Sequence, residues 1–241
     1  MHKPNLFLFV ALLGIIILIP SQSANAVGPY TPQEDAYTLL NDPDTVTGLD
    51  DYLFLSASNA DGCVPTSYVW FKFQVPNPTT TISFATLSVP IDPKYSGDEK
   101  LDMELRSSPN TSWDEATLTW STQPDLDPDV LATAASTVAP NDALFTSSEF
   151  ASYLNDKKGQ MVSLVVKANC NGNVAVEATR VIAARENTNA NPVELILQGP
   201  TNVGLSEMKA VAGNWNGRVI FFGILLGIYG AYVFLKKTSY E

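Results

Sequence analysis

Histidine is nearly absent from this chain, and the absence narrows its chemistry. The only one of 241 residues is His2, at the extreme N-terminus. Beyond it there is no imidazole for a Ser-His-Asp or Cys-His arrangement and none for a metal site. No glycine-rich phosphate loop occurs either. Cations are also scarce: 14 Lys and Arg stand against 25 Asp and Glu, a net charge of −11. A nucleic-acid partner is not expected, because it would need a basic footprint. Cysteine is limited to Cys63 and Cys170, so one pairing is available. An oxidising compartment favours that bridge, and two buried thiols are the alternative. Helical periodicity is rare, and no internal repeat is visible.

Long apolar runs occur only at the two ends. Lys3 precedes the run Leu6 to Ile19, Pro20 ends it, and Ala24-Asn25-Ala26 follows. These are the parts of a secretory signal peptide over 1–26, cleaved before Val27. The second run, Val219 to Leu235, carries no charge and lies between Arg218 and the pair Lys236-Lys237. Its 17 residues reach about 26 Å as a helix, enough for a thin bilayer. Trp215 and the lysine pair suit the two interfaces, with the tail inside. The expected organisation is a signal peptide over 1–26, a β-domain over 27–198 and a flexible stalk over 199–217. A transmembrane helix with basic flanks over 218–237 and a cytoplasmic tail over 238–241 follow. The expected location is a cell membrane, crossed once, with the β-domain outside.

Between the ends the dominant period is two. From Ser67 to Val75, the residues Val69, Phe71, Phe73 and Val75 fall on one face. Tyr68, Trp70, Lys72 and Gln74 fall on the other. Similar alternation runs through Ala85 to Val89, Leu101 to Arg106, Val162 to Lys167 and Val193 to Leu197. Only Ser147 to Leu154 reads as a helix, with Ser148 as a cap. Many short strands around one core predict an all-β antiparallel sandwich.

Two sets of residues suggest chemistry. Tyr68, Trp70, Lys72 and Gln74 would make a sugar platform, with rings covering a pyranose face and polar neighbours holding its hydroxyls. The alternative is that this sheet is covered and the rings pack under a loop. Asp102, Glu104 and Arg106 would extend the platform if their strand is adjacent. Asp102 and Glu104, at i and i+2 on one strand face, are also the one candidate carboxylate pair for glycan cleavage. Oxygen-rich stretches at Asn41 to Asp44, Asp50-Asp51 and Asp125 to Asp129 make calcium a candidate structural ion, without a diagnostic spacing. No cofactor is expected to be required. Asn110-Thr111-Ser112 is a glycosylation sequon.

Trp113 to Trp120, W-D-E-A-T-L-T-W, followed by Gln123-Pro124, resembles the W-x-E-x-T-x-T-W…P signature of DNRLRE domains. These are related to disaggregatase repeats and to a carbohydrate-binding module family. Asp35-Ala36-Tyr37 with Gly48 to Leu53 is similar to the family's opening block, and Tyr68 to Val75 to its central strand. Val162 to Val166, Ala184 to Asn187 and Asn191-Pro192 are similar to its closing block. The resemblance covers about Glu34 to Gln198. It implies a jelly-roll-like sandwich that binds polysaccharide or serves as a non-catalytic surface module. Trp113, Glu115, Thr117, Thr119, Trp120 and Pro124 would then form a structural motif, the two tryptophans pinning a loop. Arg185 and Glu186 would join strand to loop or belong to a ligand site. Tyr68 stands where the family has arginine and Gln74 where it has aspartate, which implies a neutral ligand or none. Three functions follow: a polysaccharide-binding surface module, a structural or adhesive protein contacting another protein, or a glycan-cleaving enzyme.

Overall fold

The computed structural model describes residues 26–199 apart from 79, 93–95, 97–98 and 136–140. The expected transmembrane helix and tail lie outside the described residues, as do the signal peptide and stalk but for residues 26 and 199. Among the described residues no helix is long and apolar enough to cross a membrane.

The strands are β1 Ala26–Tyr30, β2 Glu34–Leu39, β3 Tyr52–Ser58, β4 Val64–Pro65, β5 Ser67–Gln74 and β6 Phe84–Val89. They continue with β7 Met103–Ser108, β8 Ala132–Ala134, β9 Ala143–Thr146, β10 Met161–Ala168, β11 Glu177–Ala183 and β12 Glu194–Gln198. Helix α1, Ser148–Asp156, lies between β9 and β10. The sheets run β2-β5-β10-β7-β8, β1-β12-β6-β9 and β11-β3-β4, all with antiparallel pairing. An isolated bridge between Ile91 and Ile182 links the two smaller sheets.

Alternation decides which side chains meet. Val69, Phe71 and Phe73 of β5 and Leu164 and Val166 of β10 point inward from the five-stranded sheet. They meet Leu53, Leu55, Leu87, Phe145, Leu195 and Leu197 of the smaller sheets in one core, every one essentially buried. Each such side chain contributes about 1.5–3 kcal/mol by leaving water. Among the described residues the architecture is therefore a β-sandwich with one short helix, as the period of two predicts. The helix adds Phe150 and Leu154 to that core. Its cap is Ser147, not the expected Ser148. Ser147 has extended backbone and its Oγ accepts from the Phe150 N–H at 2.9 Å, which places the first turn one residue earlier.

Cys63 and Cys170 form a disulfide across 107 residues, with Cα atoms 5.3 Å apart. In the chain-entropy picture a loop of that size is worth about 4–5 kcal/mol. The bridge ties the turn before β4 to the turn after β10.

Candidate functional site: the outer face of the five-stranded sheet

The outward side chains of this sheet fall into rows fixed by register. Ala36, Trp70, Val165 and Arg106 make one row across β2, β5, β10 and β7. Glu34, Lys72, Ser163 and Ser108 make the row beside it on one side. On the other side Thr38 stands opposite Tyr68, and Lys167 opposite Glu104. The Lys167 Nζ lies 5.8 Å from the Tyr68 ring centre, which continues that row from β5 to β10.

The segment 109–130 crosses this face and covers part of it. Trp113 is its main anchor. The ring packs edge-on against Trp70 at 5.9 Å, and the indole N–H donates to Ser163 Oγ at 2.9 Å. Lys72 donates to the Trp113 carbonyl, lies 4.5 Å from its ring centre and pairs with Glu34 at 2.7 Å. Leu118 closes the patch formed by Ala36, Trp70, Trp113 and Val165. Trp70 is 0% exposed, and its indole N–H has no hydrogen-bond partner. The expected sugar platform is therefore corrected at Trp70 and Lys72. Alternation turns them outward as predicted, but the loop then buries both. Gln74, at the end of β5, is exposed beyond the cover and makes a bond to the Val75 carbonyl.

A polar clasp holds the loop. The Glu115 carboxylate accepts from the Asp35 N–H at 3.2 Å and from Arg185 Nη2 at 2.6 Å. Arg185 also pairs with Glu186 at 2.6 Å, and its backbone N–H donates to Asp35 Oδ2 at 2.8 Å. Arg185 thus joins this loop to β2, and Glu186 pairs with it. Asp35 is 1% exposed, and Asp35 Oδ1 and Glu186 Oε2 have no partner. Burial pushes the Asp35 carboxyl up to about 7, opposed by the Arg185 N–H and reinforced by the negative Glu186 and Glu115. Gly48 lets the backbones approach, since a Cβ there would stand 2.0 Å from the Glu115 carbonyl oxygen. Further along, Thr119 and Thr122 bond each other reciprocally, and Thr117 hydrogen-bonds back to the Asp114 carbonyl.

Past Leu118 the loop lifts from the sheet and becomes one wall of a cleft of about 500 Å³. Half-exposed Trp120 packs on Tyr68 with ring centres 4.9 Å apart at 45°. Gln123, held by Thr38 at 2.7 Å, Pro124 and Asp125 continue the wall. Arg106 and Lys167 form the floor. Beneath them Glu104, only 3% exposed, binds both cations through Oε1, Arg106 Nε at 2.7 Å and Lys167 Nζ at 2.9 Å. Arg106 Nη1 also reaches the Asp127 and Pro128 carbonyls. Burial raises the Tyr68 hydroxyl above the usual phenol range.

Tyr68 and Arg106 thus share an open cleft with Trp120. The expectation that Glu104 contacts ligand is corrected, because its carboxylate is buried under the two cations. Asp102 lies just before β7 and accepts from the Asn173 N–H at 2.7 Å and its amide at 3.0 Å. The two carboxylates therefore have separate partners. In sequence, Gln123 has a place in the family signature and Asp125 one in a candidate calcium stretch, and neither of them, nor Lys167, is assigned to a sugar-binding surface. The β10 alternation does place Lys167 outward with Ser163 and Val165, but spacing alone does not show which strand lies beside it. Among the described residues no group of three His, Cys, Asp or Glu is placed to hold a metal ion.

The model of carbohydrate-binding module family 96 matches residues 27–199. That description carries the carbohydrate-binding name and not the DNRLRE one. No curated protein matches the chain. A solved structure of the CBM22-1 and GH10 modules of xylanase 10B from Clostridium thermocellum, complexed with xylohexaose, is 10% identical. The alignment covers 73% of this chain and 30% of that one, with a TM-score of 0.26, too low to argue a shared fold or ligand.

Proposed function

Because the chain belongs to carbohydrate-binding module family 96, we propose that it is a non-catalytic module that holds polysaccharide in the Tyr68–Trp120 cleft. The observation that carries the reading is the half-exposed ring pair beside hydrogen-bonding groups in an open cleft. The rings can cover the apolar face of a pyranose while Lys167, Gln123 and Asp125 reach its hydroxyls. The burial of Trp70 moves the site off the centre of β5 and onto its N-terminal end. Jelly-roll connectivity is part of this reading.

The sequence further supports display at a cell surface. A signal peptide over 1–26 and a membrane helix over 218–237 would leave the sandwich outside on its stalk, with the C-terminus cytoplasmic. The test is affinity electrophoresis of the detergent-solubilised full-length protein through gels carrying a panel of polysaccharides. At least one should retard the wild type, and Trp120→Ala should lose tenfold or more in affinity. A protein that is folded yet retarded by none of them would shift the reading to a structural or adhesive protein.

A further inference from the structure

The two cations on the floor of the cleft invite the idea of an acidic ligand, but their surroundings oppose it. Both are bound from below by the same oxygen of Glu104. Arg106 is also engaged by two loop carbonyls, so its guanidinium is largely directed into the protein. Asp125 and Asp127 stand on the wall, the latter accepting from Ser107 Oγ at 2.7 Å. Two positive charges are thus matched by two carboxylates on the cleft wall and by the buried Glu104 beneath them, on a chain whose net charge is −11. At physiological ionic strength charges are felt over about 8 Å, so the cleft itself sets the local potential.

On the reading that this cleft binds glycan, we propose that it selects uncharged sugar chains and rejects polyuronates. Glu104 is the positioning residue for this selection. It neutralises the floor and holds Lys167 beside the Tyr68 ring, where the ammonium has protons left for sugar hydroxyls. Asp125 accepts from hydroxyls on the wall, a charge-assisted bond that a neutral sugar satisfies and a carboxylate cannot. Tyr68 and Trp120 supply the stacking surface, which needs no charge on the ligand.

The experiment is retardation of the full-length protein in gels carrying neutral chains (xylan, mannan, mixed-linkage glucan) or polyuronates (polygalacturonate, alginate). Each is run at about 50 and 500 mM NaCl. The expected result is retardation by at least one neutral chain that changes less than twofold with salt, and none by polyuronates. Asp125→Lys should then gain polyuronate retardation that fades at high salt. Wild-type retardation by polyuronates that collapses with salt would overturn the selectivity while leaving the glycan reading in place. Failure of Asp125→Lys to gain any would likewise overturn it. Retardation by no chain of either kind would remove the glycan site and the selectivity with it.

Discussion

Two halves of one sheet face have opposite fates. Trp70 and Tyr68 are two residues apart on β5, point the same way and face the same neighbouring strands. Trp70 lies under Trp113 and Leu118 with no exposure, whereas Tyr68 opens into a cleft beneath Trp120. What separates them is the path of the segment 109–130. It is pinned to the sheet by Trp113 and by the Glu115 clasp, and then rises to leave a gap. Orientation comes from the strand, and exposure comes from what crosses it.

The largest effect should come from emptying the covered half. Trp70→Ala leaves a hole between sheet and loop and should cost about 3–5 kcal/mol, read as a fall in melting temperature. The next effect concerns the clasp, and its sign follows from linkage. Asp35 holds its proton to about 7 in the folded chain against 3.8 when free. An acid raised in this way favours the native state at low pH, and that advantage is lost as pH rises from about 4 through about 7. Over three pH units its own contribution is on the order of 2–4 kcal/mol. Asp35→Asn should therefore match wild type near pH 4 and exceed it at pH 8, measured by denaturant unfolding at both pH values. Equal stability of the two proteins at pH 8 would contradict the burial of a charged Asp35.

Gly48→Ala should loosen the same clasp by about 1–3 kcal/mol, since the new methyl collides with the Glu115 backbone. Limited proteolysis should then cut within 109–130 sooner than in wild type. Smallest on stability is Trp120→Ala, which removes a half-exposed ring and should cost no more than about 1 kcal/mol. It should nonetheless remove most glycan affinity, the reverse of the pattern expected for a covered residue.

The sequence made some of this division legible. The alternation of Ser67 to Val75 correctly turned Tyr68, Trp70 and Lys72 to one face, because the pleat enforces a period of two. It could not show that Trp113, 43 residues after Trp70, would close over it. That contact depends on a bond to Ser163, 50 residues further on. Glu104 read as an exposed acid for a related reason, since the spacing within β7 is silent about Lys167 on the neighbouring strand. The motif blocks named Asp35, Glu115 and Arg185 in separate segments. Their meeting is invisible in spacing, because Asp35 is 80 residues from Glu115 and 150 from Arg185. The disulfide was legible because two cysteines allow one partner each.

The division between covered and open halves is tested most directly by oxidative footprinting of tryptophan. The intact protein would be probed by mass spectrometry with and without a polysaccharide that retards it. Trp70 and Trp113 should stay unmodified in both conditions, while Trp120 is oxidised in the free protein and protected at saturating glycan. Oxidation of Trp70 in the folded protein, or a Trp120 that glycan leaves unprotected, would contradict the account.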